Sequence, residues 1–195
     1  MERKDFRAFT VKANAKVNVL TTEIQLSLPY NPQADQGPAP ALHNCKAIWD
    51  TGASMSSITE AMVNKLALKP TGRTEVTNTS GTETKNTYLL NVYLPNKVAL
   101  SYLKVVECKN IVGDFEFLVG MDIIGAGDFA VTNVDGKTTM SYRVPSIETI
   151  DYVEQAEKEK LRRLGESRNK NQVSLKKYHK KKQEIRNRRR ARRKK

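Results

Sequence analysis

Within the first 145 residues, several short segments alternate apolar and polar side chains at every second position. Phe9-Thr10-Val11-Lys12 does so, and residues 17–28 continue the pattern through Val17, Val19, Ile24, Leu26 and Leu28. A period of two belongs to a strand with one face buried and the other in water. The run Cys45-Lys46-Ala47-Ile48-Trp49 is short and apolar, as a buried strand would be, and Asp50 and Gly52 supply turn chemistry at its end. Residues 76–84 alternate around a Ser80-Gly81 turn, and Tyr88-Leu89-Leu90-Asn91-Val92-Tyr93-Leu94 pairs with residues 98–106 through Pro95-Asn96. Phe129-Ala130-Val131-Thr132 and Thr138-Thr139-Met140-Ser141-Tyr142 flank a hairpin connection at residues 133–137. One stretch has a different period: Ser57-Ile58-Thr59-Glu60 has capping-box spacing and is followed by Ala61, Met62, Leu66 and Leu68, which predicts a short helix. The pattern is that of an all-β domain, a small closed barrel of short strands with one or two short helices. A Pro-rich loop, residues 29–40, is either a surface insertion or a contributor to a cleft.

Charge divides the 195-residue chain. Residues 1–150 hold 15 Lys+Arg and 15 Asp+Glu, so the whole net charge of +13 lies in the last 45 residues. Ile150, Val153, Ala156, Leu161 and Leu164 recur at near-helical intervals, predicting an exposed or partner-facing helix; beyond Gly165 apolar content collapses into Lys and Arg. The expected organisation is a β domain over residues 1–146 and a basic, helical to disordered tail over residues 147–195, whose part beyond Gly165 is expected to be helical at most transiently in isolation because its charges repel. Residues 165–195 suit a polyanion, with nucleic acid ahead of anionic membrane; a solubilising tail or a nuclear localisation signal stays open. Tyr152 and Tyr178 are too few for a base-stacking platform.

Candidate chemistry centres on Asp50-Thr51-Gly52, which follows the buried run at residues 45–49 and continues through Ala53-Ser54 towards the predicted helix. About seventy residues later comes Phe117-Leu118-Val119-Gly120-Met121-Asp122. Together these segments resemble the two signature regions of the retropepsin-like aspartic proteases, the single-lobed family of retroviral proteases and their cellular relatives. The resemblance covers residues 8–145 and is specific at the two motifs. It implies the closed acid-protease barrel of that family and an endopeptidase activity in which Asp50 is catalytic. Thr51 would hydrogen-bond across to a partner loop, Gly52 would present its backbone N–H to the carboxylate, and Ala53 and Ser54 would complete the active-site loop. Val119, Gly120 and Asp122 would be structural support, with the glycine allowing close backbone approach. Ser80 and Gly81 fall where a flap over the substrate would be, although any hairpin turn would read the same way.

Peptide hydrolysis of this kind needs two carboxylates sharing a proton, and the chain has one Asp-Thr/Ser-Gly. The expectation is a homodimer with its site on a twofold axis, acting on a peptide or protein, with no metal and no cofactor. Ala53, where pepsin-like enzymes often carry a hydroxyl, implies a working pH less acidic than pepsin's. The alternative for Asp50 is a plain polar turn. The rival for the whole chain is a non-catalytic peptide-binding module tethered to nucleic acid; a third reading makes the β domain only a scaffold for such binding.

Other chemistries fit poorly. Gly125-Ala126-Gly127-Asp128-Phe129-Ala130 matches a dinucleotide fingerprint but precedes a strand pattern rather than a helix. Ser54 lacks the final glycine of a nucleophile elbow, and His43 and His179 are too few for a triad or a metal site. The charged N-terminus and the lack of a long apolar run predict a soluble, cytoplasmic protein, nuclear in the case of a eukaryote. Cys45 and Cys108 read as reduced core thiols, with a bridge between them left open.

Overall fold

The computed structural model describes residues 5–78 and 81–192 and divides into two units, Met1–Glu148 and Thr149–Lys195. In the first, β2 (Leu20–Ser27) pairs antiparallel with β3 (His43–Trp49), Leu20 lying opposite Trp49. The alternation read from the sequence places Ile24 and Leu26 of β2, and Cys45, Ala47 and Trp49 of β3, in the core. β3 continues into the loop of residues 50–56, which leads to β4 (Ser57–Thr59) and α1 (Glu60–Lys65). A long hairpin comes next, β5 (Gly72–Asn78) and β6 (Gly81–Tyr93), and then β7 (Ala99–Cys108) and β8 (Phe117–Val119). After α2 (Met121–Ile124) come β9 (Asp128–Thr132), a 3-10 turn at Val134–Gly136, and β10 (Thr139–Val144). β10 lies between β9 and the first strand, β1 (Arg7–Lys12).

Hydrogen-bonded neighbours run β2, β3, β8, β4, β7, β6, and β6 returns to β2 through three residue pairs, Gln25–Tyr93, Leu26–Val92 and Ser27–Asn91. β5 hangs on the free side of β6, while β1, β10 and β9 form a separate three-stranded sheet. The all-β expectation therefore holds for this unit, and the expectation of one closed barrel is corrected. Closure is short because the first half of β6 pairs with β5 and leaves its second half for β7 and β2.

Aromatic packing joins the two sheets. Trp49 stacks on Phe129 with ring centroids 5.6 Å apart, and meets Tyr142 edge-on at 5.1 Å and Phe9 at 5.8 Å. Its indole Nε1 donates to Thr22 Oγ1 at 2.8 Å, satisfying both buried polar groups. The residue immediately before Asp50 is thus fixed on several sides.

Two local readings change. Ser57 is a strand residue, and the helix is capped by Thr59, whose hydroxyl accepts from the Met62 N–H at 3.3 Å. Ser57 instead pairs with Leu118 and Val106, which wins because burying Ile58 as a strand residue fills the core. The Pro-rich loop is a surface strap: Asn91 Nδ2 donates to the Tyr30 carbonyl at 2.6 Å and Tyr102 Oη to Asp35 at 2.5 Å.

The second unit carries one helix, α3 (Tyr152–Arg192), of 41 residues. Asp151 begins it by accepting the Val153 and Glu154 N–H groups. It is rich in Lys, Arg, Gln, Glu, Leu and Ala, all good helix formers. Among the described residues no helix is long and apolar enough to cross a membrane.

Candidate active site

β8 lies between β3 and β4, parallel to the first and antiparallel to the second. The loop joining β3 to β4 must therefore pass over the end of β8, and that loop is residues 50–56. Ala47, Ile48 and Trp49 pair in register with Phe117, Leu118 and Val119, so Asp50 and Gly120 leave their strands side by side. The Asp50 N–H donates to the Val119 carbonyl at 3.0 Å, and the Met121 N–H donates back to the Ala53 carbonyl at 2.8 Å. The two sequence motifs, about seventy residues apart, meet here.

Gly120 makes the meeting sterically feasible. A Cβ on it would lie 2.6 Å from Met55 C, 2.7 Å from Met55 O and 2.9 Å from Ser56 N, all backbone atoms. Its N–H donates to Ser56 Oγ at 3.0 Å, and that hydroxyl donates to Asp122 Oδ1 at 2.7 Å. Asp122 also accepts the Ser56 N–H at 3.0 Å and the Ile123 N–H at 2.9 Å. Asp122 is thus not the cap of α2, a position held by Gly120; its carboxylate holds down the far end of the Asp50 loop. Ser56, fully buried, is the hinge of this network and had no signal of its own in the sequence. On the other side of α2, Tyr142 Oη donates to the Ile123 carbonyl, so the aromatic cluster steadies the loop from both ends.

The carboxylate itself is half-buried. The Gly52 N–H donates to Asp50 Oδ1 at 2.8 Å, and the Ala53 N–H to the Asp50 carbonyl at 3.3 Å, which folds the loop into a tight turn around the side chain. Thr51, Gly52 and Ser54 are exposed. Asp50, Gly52, Ala53 and Ser54 open onto a cleft of about 620 Å³ whose other wall is the β5–β6 hairpin, through Thr74, Glu75, Val76, Thr77, Glu83 and Lys85. The floor between is the end of β7 and the first residues beyond it, including Glu107 and Lys109. Glu83 is paired with Lys85, and Glu107 accepts from Asn86 Nδ2 at 2.8 Å and Tyr88 Oη at 3.1 Å. These charged lining residues were not legible in advance, because a cleft wall is composed by tertiary packing. No residue of the Pro-rich loop lines this cleft.

Gly81 begins β6 opposite Asn78 with φ of 130°, a conformation that favours glycine, and open space surrounds it. Ser80 lies outside the described residues. Cys45 and Cys108 are free thiols; burial raises both, Cys108 to about 11.

No protein-family model matches the chain, and no curated protein does. Among solved structures it is similar to a retropepsin-like aspartic protease from Rickettsia conorii, at 15% identity and a TM-score of 0.43 over 74% of this chain and 98% of that one. It is also similar to the EIAV protease in complex with the inhibitor HBY-793, at 15% identity and a TM-score of 0.39 over 55% of this chain and 86% of that one. A third is the retroviral protease-like domain of Ddi1 from Leishmania major, at 14% identity and a TM-score of 0.35 over 70% of this chain and 99% of that one. Likenesses of this size carry neither activity nor residue roles across.

Proposed function

We propose that this chain, which resembles the retropepsin-like aspartic proteases, is an aspartic endopeptidase whose catalytic group is Asp50. The observation that carries this reading is the placement of that carboxylate. It is held by the Gly52 N–H on a loop locked over Gly120, and it opens onto a cleft walled by a long hairpin. A polar turn with no chemical role has no need of a Ser56–Asp122 brace beneath it, with Ser56 fully buried.

One chain supplies one such carboxylate. Of the three other acids that share the cleft, Glu83 is engaged by Lys85 and Glu107 by Asn86 and Tyr88, while Glu75 belongs to the β5–β6 wall and not to the Asp50 loop. The second carboxylate then comes from an identical loop on another copy, with the exposed Thr51 and Gly52 facing their equivalents across a twofold axis. Two carboxylates held about 3 Å apart cannot both ionise and keep one proton between them. The ionised one takes a proton from water as the water oxygen bonds to the scissile carbonyl carbon, and the protonated one gives its proton to the carbonyl oxygen. The tetrahedral diol collapses as the C–N bond breaks: the carboxyl that took the water proton passes it to the leaving amine, and the other carboxylate takes a hydroxyl proton of the diol, which restores the shared-proton pair. Substrate would lie extended between the Asp50 loop and the β5–β6 hairpin, hydrogen-bonding as an added strand, with Gly81 at the start of β6 on the flap side.

The test compares wild type with Asp50→Asn on a broad peptide library from pH 3 to 8, with the mass of the particle measured in the same buffers. Wild-type cleavage by a dimer, abolished in an equally stable variant, is the expected result. Binding of peptides without turnover at any pH would favour a non-catalytic module, and turnover by a strict monomer would sink the shared site.

A further inference from the structure

The peptidase reading leaves the second half of α3 unused. We propose that this segment is a docking element for double-stranded nucleic acid, a function independent of Asp50. Of the 17 positions from 176 to 192, ten are Lys or Arg and Glu184 is the one acid. As helix these positions extend over roughly 25 Å, alongside which a DNA duplex displays about 15 phosphates. Ten cations against about 15 phosphates is a charge density of the same order and opposite sign.

The two halves of the helix differ in a way that locates the contact. In the first half three of the cations are already engaged: Lys158 pairs with Glu154, and Arg162 and Arg163 both pair with Glu159. In the second half the acids run out, and Lys176, Lys177, Lys180, Lys181 and Lys182 are all exposed. At 100° per residue these five lysines go about two thirds of the way round the helix. A helix lying on a lipid surface needs an uninterrupted apolar face, and such a spread of cations leaves none. A single strand would want aromatic platforms, and Tyr178 is the only aromatic residue between 165 and 195, its ring 5.9 Å from Lys182 Nζ. A duplex groove, by contrast, presents phosphates on both sides of an inserted helix, and the major groove of B-DNA is wide enough to admit one. Like charges one turn apart, Lys176 with Lys180 and Lys177 with Lys181, oppose the helix when it is alone, and phosphates relieve that repulsion.

The experiment uses the full chain and a fluorescein-labelled 24-base-pair DNA duplex, followed by anisotropy between 50 and 200 mM NaCl. With about six phosphates neutralised, Kd is expected to weaken by roughly 10³-fold across that range. K180Q/K181Q/K182Q should lower the slope of log K against log salt by about three, with the melting of the β domain unchanged. Because phosphates relieve the repulsion between like charges one turn apart, the melting of α3 followed by circular dichroism at 222 nm should move to higher temperature when duplex is added. The proposal is overturned by any of three results: a slope that the triple variant leaves unchanged, single strands bound as tightly as the duplex, or phosphatidylserine vesicles that displace it.

Discussion

Gly120→Ala tests the site more sharply than any change to the carboxylate, because it adds one methyl group and alters no charge. The new Cβ would meet Met55 C at 2.6 Å, Met55 O at 2.7 Å and Ser56 N at 2.9 Å. The closest of these is roughly 0.8 Å short of ordinary carbon contact. All three are backbone atoms, so no side chain can turn aside, and the segments they belong to are pinned. Ser56 is held through its N–H and hydroxyl by Asp122, and Gly120 through its own N–H by Ser56. Relief must therefore come from separating the Asp50 loop from the end of β8. Overpacking of this sort costs about 1–3 kcal/mol, and the rigid surroundings place it towards the upper end. For a chain of this size that is a fall in Tm of roughly 4–10 °C. A displacement near 1 Å at a positioned catalytic group costs about a hundredfold in rate, so kcat/KM on a peptide should fall by that order even below the new Tm. Thermal unfolding gives the first number and peptide turnover at 20 °C the second. Gly165→Ala is the control: nothing lies within 4 Å of the added carbon, and it sits in α3, where alanine is the better helix former. Gly120→Ala with unchanged Tm and unchanged turnover would refute the close approach as the feature that sets Asp50 in place.

Asp122→Asn should destabilise by about 1–3 kcal/mol in urea unfolding and reduce turnover, because three donors converge on its two oxygens and an amide offers one acceptor. Trp49→Phe removes the bond to Thr22 and part of the aromatic cluster; a loss of about 2 kcal/mol or more is expected, read by the same method. Asp128 accepts the Ile147 N–H, the Ser146 hydroxyl, the Arg143 guanidinium and the Glu148 N–H, which together hold its carboxyl well below the usual range. A depressed folded value means its contribution is complete above the unfolded carboxylate pKa near 4 and is lost as pH falls through the folded value. The stability of Asp128→Asn should accordingly drop less than that of wild type between pH 5 and pH 2; parallel curves would argue against the clamp. Cys108 and Cys45, both raised by burial, should react with a thiol reagent at pH 8 far more slowly than a free cysteine, and rapid modification of native protein would contradict the described packing.

What the sequence determined by itself is what depends on near neighbours along the chain. Alternation marked the strands most clearly in β2 and β10, where Ile24 and Leu26, and Met140 and Tyr142, are buried at a two-residue period. Turn chemistry at Asp50 and Gly52 marked the loop, and the glycine in Val119-Gly120 marked a close approach. Charge counting separated the β unit from the basic helix. Tertiary structure decided what depends on residues far apart. That Ser57 is a strand residue and Thr59 the cap comes from the slot between β8 and β7, which no local propensity reports. That Ser56 links Gly120 to Asp122 comes from the loop crossing the end of β8. The walls of the cleft, with Glu75, Glu83, Lys85 and Glu107, are likewise assembled from four strands and connections. A short-range pattern is set by the covalent period of the backbone, whereas a site is set by which surfaces pack, and packing is a property of the whole core.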